Sequence, residues 1–384
     1  MAKIALTHKN LSLYIPAVKK EVIIRNTTAP RIEFLDFVKG IAIICIIIGH
    51  SGQGGILNSL FVFSFHIPIF FIISGFLLAE SNSITLSLGE IAYKKFRRLI
   101  LPYLITGLIC FYLANVVKYL LYSTDYSYTH LLYFTKQVLQ NLCYGTGKEV
   151  TLLNADFWPV GLLWFLPSLF SAIIIFYFFL KLFEKYSIAI QSIIIILLTF
   201  VGYMIGKYIF LPWSIDISLV SQVFVFSGYL MRKYMIFEKK APIWLFIAAA
   251  SIWLLDLYMG GISMNGRVYN NLAVSTIGAI AASYLLMKLS YFLSNSTSFY
   301  YKSISYIGRQ SLVILCFQLS DLWFCDRIIR YFALECLYQN NHWIILTGIR
   351  ICYSLLIAEI IKLLPFLKLV YYPRTSRIRG QRLY

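Results

Sequence analysis

Four ionisable side chains lie on two neighbouring apolar stretches: Asp36, Lys39 and His50 on "DFVKGIAIICIIIGH", and His66 in "LFVFSFHIPIFFIISGF". A histidine titrates near about pH 6.5 and exchanges protons close to neutrality, so two of them in such surroundings point to proton transfer. Lys39 and His50 are eleven residues apart. At about 100° and 1.5 Å per residue they share one helix face, roughly 16 Å from each other along the axis. Asp36 sits one turn before Lys39 and can pair with it, which lowers the cost of a charge at a membrane boundary. Gly52, Gly54 and Gly55 follow at once, so the helix is expected to end there with the imidazole facing a cavity. Pro68 should loosen the helix beside His66, while Ser74 and Gly75 allow close helix contact. A lone intramembrane histidine can also serve only as a hydrogen-bonded packing residue. The shared face of Lys39 and His50, with a second histidine, favours chemistry. Two histidines without further nearby ligands do not make a tetrahedral site, so no metal is expected.

The elements that must hold these residues are membrane helices. Of 384 residues 60% are hydrophobic and 13% charged, with a mean hydropathy of +0.75. Soluble domains are closer to about 25% charged. Apolar runs long enough to cross about 30 Å of hydrocarbon recur along the chain. The fold expected is an all-α integral membrane protein of about ten transmembrane helices, near 37–56, 60–79, 99–121, 161–181, 188–206, 216–231, 242–259, 270–288, 307–324 and 343–364. Alternating the loops puts most of the 34 Lys and Arg on the side of the N-terminal tail. Both termini are therefore expected in the cytoplasm. Residues 1–30 read as a cytoplasmic tail, 31–370 as one membrane domain and 371–384 as a basic cytoplasmic tail. The net charge of +18 is spread through loops and tails, which fits topology and membrane lipids better than nucleic acid. Seven scattered cysteines form no pair spaced for zinc or for a disulfide framework.

Two further features bear on function. "YKKFRRLILPY" sets Lys94, Lys95, Arg97 and Arg98 at one boundary, where they satisfy the positive-inside rule, bind anionic lipid, or grip the phosphates of a cytosolic cofactor. The loop at 122–160 either covers an entrance on the opposite side or is an ordinary amphipathic helix resting on the membrane.

Taken together, these residues resemble the acyltransferase-3 family of multi-pass membrane acyltransferases, especially its branch similar to fucose 4-O-acetylases. The resemblance is carried by "RIEFLDFVKGIAIICIIIGH", "FHIPIFFIISGF", "KKFRRLILPY", "WFLPSLF" and "YIGRQSLVILCFQ", and covers about residues 31–370. It implies transfer of an acyl group, usually acetyl, from cytosolic acetyl-CoA or another acyl-CoA to a hydroxyl of a surface polysaccharide or lipid-linked glycan. No permanently bound cofactor is implied, and the location is the cell (plasma or inner) membrane. His50 would be the catalytic histidine, with His66, Asp36 and Lys39 beside it in the reaction. Lys94, Lys95, Arg97 and Arg98 would bind the donor, with Lys95 and Arg98 at the spacing of the family's basic pair. Ser74, Arg309 and Gln318 would contact the acceptor, and Asp256 and Arg267 are polar enough to join them. Lysine at 39 and 95 lacks the bidentate fork of arginine. Gln318 stands where relatives commonly have histidine, and it hydrogen-bonds without titrating. Transport of a lipid-linked glycan, with the histidines binding cargo, is the competing class of function.

Overall fold

The computed structural model describes residues 32–51, 61–81, 85–122, 128–152, 155–318 and 343–373. The tails expected at 1–30 and beyond 373, the glycine-rich break at 52–55, and residues 319–324 of the ninth expected span lie outside the described residues.

The described residues are helical almost throughout. In order, its helices are α1 (Glu33–His50), α2 (Pro68–Glu80), α3 (Leu88–Lys95), α4 (Leu101–Tyr122), α5 (Tyr128–Tyr144), α6 (Phe165–Phe183), α7 (Ile188–Tyr208) and α8 (Ile215–Val220). They continue as α9 (Gln222–Lys233), α10 (Ile243–Tyr258), α11 (Leu272–Phe292) and α12 (Phe299–Arg309), then α13 at 311–318, α14 (Trp343–Leu363) and α15 (Pro365–Tyr371). Two small antiparallel ribbons interrupt them: Val150–Leu152 with Ala155–Phe157, and Ile262–Ser263 with Val268–Tyr269.

Local chemistry explains several boundaries. Ser87 and Glu90 make a reciprocal capping box at the start of α3, each satisfying a backbone donor of the other. The Ser187 side chain caps α7 and that of Asn271 caps α11. Proline opens α2 and α15, where its missing N–H costs nothing. Between α3 and α4, "FRRLI" winds as a π-helix over Phe96–Ile100, so the helix expected from residue 99 in fact runs unbroken from Leu88.

Among the described residues, six helical stretches are long and apolar enough to cross a membrane: Phe61–Glu80, Leu88–Leu113, Gly161–Phe183, Ile188–Tyr208, Leu272–Asn295 and Trp343–Leu363. The pair α8 and α9, bent by 55°, makes a seventh if taken as one broken span. The difference from the ten expected has identifiable causes. α1 carries Glu33, Asp36 and Lys39 in its first two turns, and α10 has only 16 residues. The expected span 307–324 breaks at Gln310, whose N–H returns to the Ile307 carbonyl at 3.0 Å, and a new helix then begins.

Two glycine-lined crossings hold the bundle. At the first, a Cβ on Gly40 of α1 would fall on the Ile304 carbonyl of α12, and one on Gly308 would fall on the Asp36 carbonyl. At the second, Gly75 of α2 meets the Val225 carbonyl of α9, and Gly228 meets that of Ile72. The start of α1 is fixed further by the Ser290 hydroxyl, which donates to the Phe34 carbonyl at 2.7 Å. Phe34 itself packs against Phe76, Phe237 and Tyr291.

At the other end of the bundle the loops interlock around a buried ion pair. Arg267 reaches both carboxylate oxygens of Asp216, at 2.8 and 3.3 Å, and its guanidinium lies 4.2 Å from the Phe210 ring centroid. Trp213, Ser214 and Arg267 all have left-handed backbones, a conformation that costs non-glycine residues energy unless their surroundings enforce it. α5 joins this layer through Tyr144, which donates to the Phe210 carbonyl at 2.5 Å, and through its Cys143 carbonyl, which accepts from the Trp213 indole at 2.8 Å. It is thus a fastened part of this layer, tied to the loop at 209–216.

The crossings make a direct prediction. Gly75→Ala should lower stability by about 1–3 kcal/mol, the usual cost of forcing extra volume into close packing. Gly89→Ala, where a Cβ meets open space, should lose none. Thermal unfolding of the two purified variants in detergent would show equal midpoints if the crossing were not tight.

Candidate functional site

The face shared by Lys39 and His50 is turned into the bundle. By the 100° step, Asp36, Ile43 and Ile46 lie on that same side; Asp36 is 2% exposed, Ile43 0% and Ile46 1%. Ile41, Cys45 excepted, and the partly exposed Ile44 and Ile48 follow the opposite side. At the start of the helix, Lys39 Nζ stands 3.6 Å from Asp36 Oδ1. The acidic residues Glu33 and Asp36 occupy the first turn, where the helix dipole favours them.

At the far end, the Ser51 N–H donates to the Ile48 carbonyl at 3.0 Å and the Ser51 hydroxyl to Ile47 at 2.7 Å, so α1 stops at His50. A Cβ on Gly49 would lie 3.2 Å from Val62 and 3.3 Å from Phe63. That contact brings the end of α1 against the start of the second hairpin arm. His66 follows Val62 and Phe63 by three or four residues, on the turn that enters α2. As expected from Pro68, regular helix is lost beside His66: residues 64–67 form turns before α2 starts.

His66 is 3% exposed, and its Nδ1 lies 2.6 Å from the Val62 carbonyl. A carbonyl only accepts, so Nδ1 carries the proton and Nε2 is the acceptor in the neutral ring. The edge of Phe63 packs against the imidazole at 5.1 Å between centroids. His50, by contrast, is only partly buried.

A residue that sequence reasoning passed over completes this end. Arg350 of α14 is 2% exposed, and its Nη1 donates to the His50 carbonyl at 2.5 Å. A cation here meets the unsatisfied carbonyls and the negative end of the α1 dipole. The signal was available: an arginine inside "WIILTGIRICYSLLIAEIIKL" is an intramembrane charge and so a functional candidate in its own right.

The remaining candidates are distributed. Lys94, Lys95, Arg97 and Arg98 form a separate basic cluster on α3 and the π turn, which packs against α6 and α15. Lys94, Arg97 and Arg98 are exposed and Lys95 is half-buried; π turns recur at functional sites. Ser74 is half-buried next to the Gly75 crossing. Gln318, at 0% exposure, closes the described part of α13. Arg309 follows Gly308, which contacts Asp36, so it lies at the Lys39 end of α1 and not the His50 end. Arg267 is engaged by Asp216 in the loop layer, and Asp256 is fully buried against Gly278 of α11. Among the described residues no three His, Cys, Asp or Glu side chains converge as a metal site would require.

A protein-family model described as an acyltransferase domain matches residues 32–361. No curated protein and no solved structure matches the chain.

If Arg350 holds the end of α1, Arg350→Gln should let the last turn open. His50 should then react with diethylpyrocarbonate at least about threefold faster, as loss of a helix-terminal charge contact of several tenths of a kcal/mol implies. Arg350→Lys should give a smaller rise. Peptide mass spectrometry resolves His50 from the other histidines, and an unchanged His50 rate in Arg350→Gln would rule out the anchoring role.

Proposed function

The chain belongs to the acyltransferase-domain family matched over residues 32–361, and from that premise we propose that it is a membrane O-acetyltransferase. In this reading it takes the acetyl group of cytosolic acetyl-CoA and delivers it to a hydroxyl of a surface polysaccharide or lipid-linked glycan, as in the branch similar to fucose 4-O-acetylases. It works in the plasma (inner) membrane as a single multi-pass domain, with both termini and the Lys39 end in the cytoplasm. The observation that supports the reading is that, at the end of α1 away from Lys39, Arg350 bonds the His50 carbonyl while Gly49 packs on Val62 and Phe63, just before His66.

The donor's phosphates are gripped by Lys94, Lys95, Arg97 and Arg98, since guanidinium and ammonium groups make strong charge-assisted bonds to phosphate. Lys39, steadied by Asp36, faces the donor on its way inward. Arg309 stands on that same side, away from the His50 end, and takes no part in binding the acceptor.

His50 accepts the proton of the acceptor hydroxyl while that oxygen forms its bond to the acetyl carbonyl carbon. The carbon–sulfur bond of the thioester breaks, and the proton passes from the imidazolium to the departing thiolate. A transient acetyl-imidazole would start from the same ring and leave the other assignments unchanged. His66, with Nδ1 committed to Val62, offers Nε2 as an acceptor beside His50. Arg350 is a positioning residue, acting through the His50 backbone. Ser74 and Gln318 hydrogen-bond the acceptor.

One observation favours a second reading, transport of a lipid-linked glycan: the 55° break between α8 and α9, since transporters often use discontinuous helices. That break is filled by its own hydrogen bonds, among them Ser218 to the Ser168 carbonyl at 2.9 Å and Gln222 Nε2 to the Ser218 carbonyl at 2.7 Å. These bonds suit a structural joint more than a cargo site, although the buried Gln222 Oε1 has no partner among the described residues.

Purified protein in lipid, given radiolabelled acetyl-CoA and candidate glycans, should transfer label. His50→Ala should reduce transfer at least about a hundredfold, the range of acid–base catalysis, while Lys39→Arg should retain it. Equal transfer by wild type and His50→Ala removes His50 from the mechanism, and glycan translocation without any transfer supports the transport reading.

A further inference from the structure

Helix α12, "FYYKSISYIGR", is strongly two-sided. Tyr301, Ser305 and Gly308 are buried, and the helix packs on α1. Phe299 and Tyr300 are each 77% exposed, and Lys302 and Arg309 are exposed too. Between this helix and Leu355 of α14 runs an open groove of about 350 Å³, lined by Phe299, Lys302, Ser303, Tyr306, Ile307 and Leu355. Its floor is mostly carbon.

Its rim is cationic. Lys362 Nζ donates to Tyr306 Oη at 3.1 Å and to Glu359 at 2.6 Å, and the Tyr306 hydroxyl also donates to Glu359. The Lys362 ammonium lies 5.2 Å and the Arg309 guanidinium 5.4 Å from the Tyr306 ring centroid. Glu359 therefore offsets Lys362. Among the described residues, neither Lys302 nor Arg309 has a carboxylate partner, leaving two positive charges beside the groove.

Depth completes the argument. Glu359 and Lys362 stand in the last turns of the apolar stretch Trp343–Leu363, so the rim lies at a membrane boundary. Leu356 and Ile360, beside Leu355 on α14, are 60% and 47% exposed, as are Leu363 and Phe366 at 79% and 66%. In a membrane these exposed apolar groups face lipid. The groove thus opens onto hydrocarbon along its floor and onto the headgroup layer at its rim.

From this we propose that the groove between α12 and α14 is a binding site for one anionic phospholipid. Its acyl chain lies along Phe299, Ile307 and Leu355, and its phosphate sits against Lys302 and Arg309. A zwitterionic headgroup would bring a third cation to the same rim, so the site discriminates by headgroup charge. The site is separate from the basic cluster on the π turn, and it stands whether or not the protein transfers acyl groups.

The test uses the full-length protein in detergent micelles containing phosphatidylglycerol or phosphatidylcholine with identical chains, with retained lipid counted by native mass spectrometry. Phosphatidylglycerol should be retained at least about fivefold better, the discrimination expected of a single basic side chain at a membrane surface. Lys302→Gln should reduce its retention about fivefold, and Leu355→Trp, which fills the floor, should remove the preference. Lys302 is exposed, so its variant keeps the fold and decides the matter even where Leu355→Trp does not accumulate. Equal retention of the two lipids, or unchanged retention in Lys302→Gln, overturns the proposal. So does displacement of phosphatidylglycerol by equimolar palmitoyl-CoA, which would make the groove a donor site.

Discussion

Close backbone approach at two glycine pairs is the constraint on which the rest of the molecule depends. Lipid tails are as apolar as leucine, so membrane helices gain little from hiding apolar surface against each other and associate instead through tight packing and interhelical hydrogen bonds. Gly40 with Gly308 lets α1 lie directly on the carbonyls of α12, and Gly75 with Gly228 does the same for α2 and α9. Contact of this kind fixes rotation as well as distance. Were α1 turned by one residue, the Gly40 notch would leave Ile304 and a side chain would take its place. The same contact that joins the helices therefore turns Asp36, Lys39 and His50 inward.

Rotation alone does not hold a helix end, where four carbonyls lack partners within the helix. The Ser51 hydroxyl satisfies one, and Arg350 satisfies that of His50 itself. A buried guanidinium is costly in a membrane interior, and its use here places a charge-assisted bond on the residue whose side chain has most chemistry to offer. His66 is treated differently: buried, with one ring nitrogen bonded to its own helix. Two histidines of like chemistry thus have unlike surroundings, one partly open and one closed, which is how neighbouring titratable groups come to take different roles.

Much of this was legible in the sequence because it depends on period and on residues with few alternative uses. The Lys39–His50 register follows from 3.6 residues per turn, the end of α1 near His50 from the glycines after it, and the loss of helix before Pro68 from the missing N–H. Asp36 pairing with Lys39 follows from a three-residue spacing. What escaped depends on partners far apart in the chain. Arg350 lies 300 residues from His50, and no local pattern links them. Arg267 read as a polar loop residue because its partner Asp216 sits across another loop. The π turn at Phe96–Ile100 escaped because apolar period does not distinguish one extra residue in a turn, and the expected span at 307–324 hid a break because hydropathy averaged over the apolar run after Gln310 does not register a single backbone turn.

The register of α1 suggests a track from Lys39 to His50, but the packing along it argues against an open one. Ile43 and Ile46, which lie between them on the same face, are fully buried, so that face is filled by neighbouring side chains over the two turns an extended donor would have to pass. A donor of the kind proposed therefore finds no open track along α1. In the proposed reading Lys39 then meets the donor at the start of α1 and not along the helix. On that reading the eleven-residue spacing sets the depth of the imidazole, with the lysine paired to Asp36 near the start of α1.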